Sequence, residues 1–600
     1  MVNTSTTALF LGIIFFLYLG AIFGRFQLWR RKKKGLKETI FPIIYFLAAV
    51  ASIWLQITFQ HPVVWELYEF FSAGQINFRL TLYLDELAVL FVLVMTCLRF
   101  LVFLFPREKN RHTDHILIDA LLISGLFFFL AGDLILLLVG WSLISLVVLF
   151  LNRKNVEQLA IDNRIRNLFL LNRLSDFILM TGTVLFFIET ESTVPVLPGN
   201  RPVEFSSLIP LFFGAAAVIR TGLFPFTNWF KTVFEPEISL NAFISSILPL
   251  PAGLYLIARY RFLFEQSLLA ISLLLFFIVI TLLYAVLESF FSEKLNQIIF
   301  YLSTAQISIS LIFTLFGYYR AAIFYFILQT TGRLLALAGG TMLTNGKEKR
   351  GDFLGQGQIS PFAGWLVFLG LSSVAGLPPL GGFWGNYALL ASLAEQPGGF
   401  LLFPFIYLFF ILFTFSAARA AFGIFMTKPE TTSRVKEKKL YDSIAAFIFA
   451  FFVLFGGLAA YLPFFEQISI LPAAGRAGHL TTYLLLFVVT FFTPALLYKR
   501  LRYRISPGKD FVLEILPFQI QEESLAQTAS SGCKLFFKKS SNLVKFIEKN
   551  LLTPLWMLPN FIIKLSTALI RFFHTGKTVH YLNYTLLTLV VIFFLLYFLG

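Results

Sequence analysis

Charge-poor apolar runs of bilayer-spanning length recur along this chain from Leu9 to Leu599. A helix needs roughly 20 apolar residues to cross a membrane. Inside lipid it is also the one open-chain structure that satisfies its own backbone N–H and C=O groups. A window of that size finds about sixteen candidate spans. They start near Ala8, Ile40, Leu80, Ile116, Leu134, Leu168, Ser207, Ile238, Leu268, Gln297, Tyr319, Pro361, Phe400, Leu440, Thr481 and Tyr581. Composition agrees: 58% of the 600 residues are apolar and 13% charged, against about 25% charged in a soluble domain. The expected fold is an all-α polytopic membrane protein. Disorder, a collagen repeat and a disulfide scaffold are excluded. The two cysteines, Cys97 and Cys533, support no thiolate metal site.

The formal net charge of +16 would point to nucleic acid in a soluble chain. Here its distribution matters more, because basic residues gather in the cytoplasmic loops of membrane proteins. Arg30, Arg31, Lys32, Lys33 and Lys34 follow the first span, with no small-residue cleavage site of a signal peptide. Every second loop is then basic: Arg107, Lys109 and Arg111; Arg153, Lys154, Arg164 and Arg166; Lys347, Lys349 and Arg350; Lys428, Arg434 and Lys436; Lys499, Arg500 and Arg502. The alternate loops are poor in positive charge, with Arg259 and Arg261 a mild exception. Both termini are therefore expected on the outer face. The lipid bilayer is the expected surroundings, and nucleic acid is not a partner.

About seventy residues between the last two spans fit neither a span nor a compact loop. Leu535, Phe536, Leu543, Phe546, Ile547, Leu551, Ile562, Ile563, Leu569 and Ile570 alternate with Lys538, Lys539, Lys545, Lys549, Lys564 and Arg571 at helical spacing. Residues 511–573 thus read as an amphipathic helix on the cytoplasmic face, interrupted or kinked at Pro554 and Pro559. It would serve either as a lipid-anchored linker or as a lateral strut.

Two spans carry helix-breaking residues at mid-length. One runs from Arg220 through Gly222 and Pro225 to Trp229; the other holds Gly376, Pro378, Pro379, Gly381, Gly382 and Asn386. Backbone groups freed by proline are tolerated in a membrane only against protein or a water-lined cavity. Gly222 and Gly376 are 154 residues apart, and the intramembrane Arg173 and Arg333 are 160 apart. Paired interruptions of this kind point to a transporter built from inverted repeats. The expected layout is N-terminal spans in 1–115, one repeat in 116–258 and a second in 266–424. Extra spans follow in 440–505, then the amphipathic segment 511–573 and a terminal anchor in 580–600.

Ionisable residues inside spans are functional candidates by default, because lipid does not solvate them. The simpler reading of Asp85, Glu86, Asp133 and Glu288 is a position at the membrane boundary. Arg173 and Asp176, at i and i+3, can pair locally. Arg220 and Arg333 have no obvious local partner, and Arg419 is a further intramembrane candidate. An arginine keeps its proton and so supplies fixed positive potential; it does not store and release protons. Ser245, Tyr325, Gln329 and Asn386 can line a hydrated file or simply cross-link helices. The six histidines show no zinc spacing, and no phosphate loop, dinucleotide fingerprint or iron–sulfur cysteine set is present. No catalytic residue is expected in the chain itself.

Several fragments, in order, resemble the antiporter-like membrane subunits of respiratory complex I and the Mrp-type cation/proton antiporters. They are Val139-Gly140-Trp141, Asn172-Arg173-Leu-Ser-Asp176-Phe177, Phe224-Pro225-Phe-Thr-Asn-Trp229, Tyr301-Leu-Ser-Thr-Ala-Gln306-Ile307 and Ala375-Gly376-Leu-Pro378-Pro379. His574-Thr575-Gly576 through Tyr581 is similar to the segment before the last span of the chain 5 (L-type) subunit. The resemblance implies sixteen spans in two inverted five-helix repeats, broken helices and a lateral helix bracing antiporter-like neighbours. It also implies a bacterial inner-membrane location, and quinone, NADH, flavin and iron–sulfur clusters held only by partner subunits. Arg419 falls where the family has an arginine. The family's titratable positions differ here: its glutamate is Ser142, its lysines are Arg220, Arg333 and Asn386, and its histidines are Ser245, Tyr325 and Gln329. The expected function is therefore a membrane-arm subunit of a complex I-like NADH:quinone oxidoreductase with weak or absent proton translocation of its own. The alternatives are a structural spacer, or the membrane half of a cation/proton antiporter or inorganic-carbon uptake system.

Overall fold

The computed structural model describes residues 63–73, 76–104, 112–153, 159–190, 205–224, 226–227, 249–292, 294–344, 354–394 and 399–426, with parts of 44–51, 447–457 and 487–493. The chain divides into two units, Met1–Tyr503 and Arg504–Gly600, and all described residues lie in the first. The segments 511–573 and 580–600, and most of 440–505, lie outside them.

The described elements are β1 (Val63–Ala73), β2 (Ile76–Leu84), α1 (Glu86–Leu104), α2 (His112–Phe129), α3 (Leu134–Arg153), α4 (Leu159–Thr190), α5 (Leu208–Thr221), α6 (Pro249–Arg259), α7 (Arg261–Glu265), α8 (Leu268–Phe291), α9 (Leu295–Leu315), α10 (Tyr319–Thr344), α11 (Gln356–Ile359), α12 (Pro361–Val374), α13 (Gly381–Ala394) and α14 (Gly399–Met426). Six of these helices contain a stretch long and apolar enough to cross a membrane. The expected starts near Leu134, Ser207, Leu268, Gln297, Tyr319, Pro361 and Phe400 fall within two residues of observed helix starts.

The expectation of an all-α chain is corrected by β1 and β2. They form an antiparallel hairpin in which Val63 faces Leu84 and Ala73 faces Ile76, with two register shifts. Its residues are β-branched and aromatic with polar residues interleaved, the pattern of a pleated, half-buried ribbon. The span expected near Leu80 therefore begins only at Glu86. β2 also pairs with the turn before α3: the Tyr83 N–H donates to Leu130 O at 2.8 Å, and the Gly132 N–H to Thr81 O at 2.8 Å.

This corner explains the boundary carboxylates. Asp85 caps α1 by accepting from the Ala88 N–H at 2.9 Å. Asp133 caps α3 by accepting from the Leu136 N–H at 2.8 Å, while its other oxygen accepts from the Thr81 N–H at 2.8 Å. Each satisfies an orphan donor of a first turn. Asp85 also pairs with Arg259 at 2.5 Å, and Glu86 with Arg320 at 3.1 Å. The Arg259 guanidinium lies 4.8 Å from the Tyr83 ring centre. Burial, then the Asp85 charge, push the Tyr83 phenol up to about 12, against the opposing pull of Arg259. Arg259, the exception to loop charge alternation, is thus committed to an ion pair.

α9 sits at the centre and is buried along nearly its whole length. Its polar residues cost little there, because Ser303, Thr304, Ser308, Ser310 and Thr314 each donate to the carbonyl one turn back. Gln306 Nε2 instead donates to Phe326 O of α10 at 3.1 Å, tying the two helices together.

The two interruptions share one backbone pattern. α5 ends at Gly222, at φ +66°. There the Gly222 N–H donates to Ile219 O at 3.2 Å, Leu223 N–H to Val218 O at 3.0 Å, and Phe226 N–H to Leu223 O at 2.7 Å. α12 ends before Gly376, at φ +81°, where Gly376 N–H donates to Ser373 O at 2.9 Å, Leu377 N–H to Ser372 O at 3.0 Å, and Leu380 N–H to Leu377 O at 2.9 Å. All three bonds recur 154 residues on. Glycine permits the left-handed residue that closes such a helix end. Groups left over by each break find protein partners. Phe224 N–H donates to Thr281 Oγ1 of α8 at 2.8 Å, and Thr414 Oγ1 of α14 donates to Ala375 O at 2.9 Å.

Pro378 and Pro379 lie in the crossing between α12 and α13, and Gly381 and Gly382 open α13. A Cβ on Gly382 would stand 1.7 Å from Ser373 O, whereas one on Gly381 would meet nothing nearer than 3.3 Å. Gly382→Ala is expected to lower stability by about 1–3 kcal/mol through overpacking, with Gly381→Ala close to wild type. Thermal unfolding of the purified variants measures the difference.

Candidate functional site

Burying a guanidinium requires partners for its charge and for its five N–H donors. Arg220 is fully buried in the last turn of α5, where a cation also meets the negative end of the helix dipole. Its Nη2 donates to Asp176 Oδ1 at 2.8 Å and to the Trp141 carbonyl at 2.8 Å; Nη1 donates to Asn172 Oδ1 at 2.9 Å. The Trp141 ring lies 4.3 Å from the guanidinium carbon. Three helices thus meet at one charge: α5 supplies the cation, α4 the carboxylate and amide, and α3 a carbonyl and an indole face.

Asn172 and Asp176 are one turn apart on α4 and share a face. Arg173 Nη2 pairs with Asp176 Oδ2 at 2.8 Å, bonds Ser145 Oγ, and donates to Ser142 O at 3.2 Å. Ser175 Oγ donates to Ala216 O at 2.9 Å, fixing α4 against α5. The cluster Arg173–Asp176–Arg220 carries one carboxylate and two guanidiniums. Its Arg173–Asp176 pair is the one expected from i, i+3 spacing, whereas the partner of Arg220 comes from another helix. Trp141, Asn172 and Ser145 join the site without having been candidates, although the i, i+4 relation of Asn172 to Asp176 marks the amide.

The second half has a different constellation. Arg333, fully buried at the middle of α10, donates through Nη2 to Thr330 Oγ1 at 2.7 Å. Gln329, one turn before it, donates through Nε2 to Asn386 Oδ1 of α13 at 3.0 Å. Tyr325 lies a further turn back, also fully buried. Arg419 of α14 donates to Ser292 O at 3.0 Å and Ser289 O at 3.4 Å, at the C-terminal end of α8. It binds helix carbonyls and stands apart from the Arg333 group in its partners. Ser245 and Pro225 lie outside the described residues.

Chemically, the first cluster is a fixed salt-bridge triad and the second a cationic, amide-rich pocket. Among the described residues, no three His, Cys, Asp or Glu side chains gather as they would to hold a metal ion. Asp176→Asn leaves the Arg220 charge buried with only neutral acceptors. It is expected to cost about 3–5 kcal/mol, the scale of breaking a buried pair from one side. Arg173→Gln, whose side chain is 35% exposed, is expected to cost less than Asp176→Asn, because Arg220 still compensates the carboxylate. Melting curves of the two variants in detergent separate the roles.

Residues 131–411 match the family model described as NADH:quinone oxidoreductase/Mrp antiporter, TM. The chloroplastic NAD(P)H-quinone oxidoreductase subunit 5 of Anthoceros angustus is 23% identical over 53% of this chain and 47% of its own length. A Na(+)/H(+) antiporter subunit of Alkalihalophilus pseudofirmus is 26% identical over 61% of this chain and 48% of its own. The chain spans about half the length of these curated relatives. Among solved structures, a chain of the archaeal membrane-bound sulfane sulfur reductase superposes with TM-score 0.64 and 18% identity, over 79% of this chain and 99% of that one. A chain of Thermus thermophilus respiratory complex I gives 0.56 and 19%, over 74% and 98%. A chain of the Mrp complex of Dietzia sp. DQ12-45-1b gives 0.63 and 17%, over 98% and 62%. These likenesses carry the fold. With the motifs around Trp141, Asp176, Gln306 and Gly376, they show a multi-pass membrane protein whose residues 131–411 are similar to the antiporter-like transmembrane domain of complex I and Mrp subunits.

Proposed function

We propose that the chain is an antiporter-like, L-type membrane subunit of a complex I-like quinone oxidoreductase, and that its own contribution to proton translocation is weak or absent. The observation that carries this reading is the Arg173–Asp176–Arg220 triad at the end of a broken helix. Proton relays need groups that take up and release a proton within reach of neutral pH. Guanidiniums hold theirs, and the one carboxylate of the triad is engaged by both. Ser142, Gln329 and Asn386 are neutral. The triad therefore supplies a fixed electrostatic landmark inside the membrane and mechanical cohesion between α3, α4 and α5.

The two-repeat plan, with 116–258 and 266–424 as inverted units, is supported by the identical hydrogen-bond pattern at Gly222 and Gly376. Residues 511–573 would brace antiporter-like neighbours along the cytoplasmic face, with both termini outside. Quinone, NADH, flavin and iron–sulfur chemistry would belong to partner subunits. The chain has relatives in chloroplasts as well as bacteria, so a bacterial plasma membrane is one of two settings its relatives occupy. A second reading, an Mrp-type antiporter component, is favoured by the match to the Na(+)/H(+) antiporter of Alkalihalophilus and by the Mrp-complex chain that covers 98% of this one.

Affinity purification of the tagged full chain from its native membrane, with mass spectrometry of what accompanies it, discriminates the two. Co-purifying quinone oxidoreductase subunits are expected; a set of antiporter subunits alone would establish the second reading. In the reconstituted assembly, Arg220→Gln is expected to leave the proton-to-electron ratio unchanged. A lowered ratio in a fully assembled complex would show that this chain pumps.

A further inference from the structure

Tyr325, Gln329 and Arg333 are spaced by single turns of α10 in a region closed to solvent, and Gln329 bonds Asn386 of α13 at 3.0 Å. Tyr325, Gln329, Arg333 and Asn386 are all 0% exposed. The approach of α13 is allowed by two glycines. A Cβ on Gly385 would stand 3.1 Å from Tyr325 Cα, and one on Gly376 would stand 2.3 Å from Asn386 Nδ2. The left-handed turn at Gly376 thus makes room for the amide.

The group's hydrogen-bonding ledger is lopsided. Arg333 uses Nη2 on Thr330, but its Nε and Nη1 have no acceptor. The Tyr325 hydroxyl and Asn386 Nδ2 are unpartnered as well. The open acceptors are Gln329 Oε1 and the Tyr325 hydroxyl, which can also accept. Exchanging the orientation of both amides leaves the same count, one free NH2 and one free carbonyl. Arg333 has no ion-pair partner among the described residues, and its ring contact is Phe326, 5.9 Å from the guanidinium carbon. The contrast with Arg220 is direct: that guanidinium, equally buried, has a carboxylate, an amide oxygen and a carbonyl around it. An uncompensated buried charge is among the least favourable arrangements in a folded protein. Water alone adds dipoles but leaves the net positive charge; a cation is repelled. The open donors and the charge both call for an anion.

We propose that Arg333, Tyr325 and the Gln329–Asn386 pair form an intramembrane binding site for a small monovalent inorganic anion of the chloride type. The anion neutralises Arg333 and joins α10 to α13 just beyond the second helix break. The site is independent of whether the chain serves a quinone oxidoreductase or an antiporter. It also sets the two clusters apart, since Arg220 has a carboxylate partner in Asp176 and Arg333 has none among the described residues.

The test is thermal unfolding of the purified full chain, with sodium chloride exchanged against sodium gluconate at constant ionic strength. A ligand that binds only the native state raises stability with the logarithm of its concentration, so a saturable rise of the midpoint with chloride is expected. Equal midpoints in chloride and gluconate would overturn the proposal. Arg333→Met removes both the charge and the need for the ion. It is expected to abolish the chloride response while melting no lower than wild type does in gluconate. An undiminished response in that variant would place the anion elsewhere and also overturn the proposal. Should Arg333→Met fail to fold, Tyr325→Phe decides: a chloride titration displaced to higher concentration supports the site, and an unshifted one refutes it.

Discussion

A guanidinium without water must be surrounded by acceptors, and Arg220 organises the first half of this protein around that demand. Its position follows from local sequence: a C-terminal helical turn closed by Gly222, where a cation gains from the helix dipole. Its partners come from elsewhere in the chain. Asp176 and Asn172 must share a face of α4, and α3 must present the Trp141 carbonyl at the same height. Sliding α4 by one residue would rotate Asp176 away by about 100°, given 3.6 residues per turn. The ion pair therefore specifies register where apolar packing against lipid-like side chains alone would specify little.

The second break repeats the backbone bonds of the first, with different chemistry beside it. The Schellman-type closures at Gly222 and Gly376 coincide bond for bond, so the break is a property of the local sequence in both places. The charge is not. α10 carries no carboxylate of its own, and the residue one turn after Arg333 is Leu337, followed by the glycine pair Gly339 and Gly340. Small residues bring α12 close: a Cβ on Gly370 of α12 would stand 2.5 Å from Ala336 N. The contact lies on the face of α10 that carries Gly332, Ala336 and Gly339.

Much of this was legible in the sequence, for physical reasons that can be named. Span starts are set by apolar runs bounded by charges and caps, so Leu134, Leu268, Tyr319 and Pro361 emerge at the right residues. The interruptions are equally local, because Gly-Leu-Pro chemistry acts through its own backbone. The Arg173–Asp176 pair is an i, i+3 relation and needs no tertiary knowledge. What escaped is long-range or hidden by averaging. The hairpin at 63–84 escaped because its strands are apolar enough to merge into a neighbouring span when scanned with a helical window. Arg220 escaped as a partnered group because Asp176 is 44 residues away. Asp85 and Asp133 were placed at boundaries, and their capping of α1 and α3 gives that placement its cause.

The chemistry of the buried charges bears on what this fold can do. A lysine in a dry site changes protonation readily because desolvation disfavours its charge; an arginine resists the same pressure and holds a fixed charge. Substituting the second for the first preserves the sign of the potential and removes the transfer step. Neighbouring helices then experience a permanent field that must be cancelled permanently. In the first cluster the cancellation is partial, since Asp176 offsets one of the two guanidiniums that pin it. In the second half it has to be supplied from solution, because the donors around Arg333 outnumber the acceptors. Buried guanidiniums of this kind are suited to holding charge still. The demand for a neutral interior then becomes a force that binds helices, and an ion, in place.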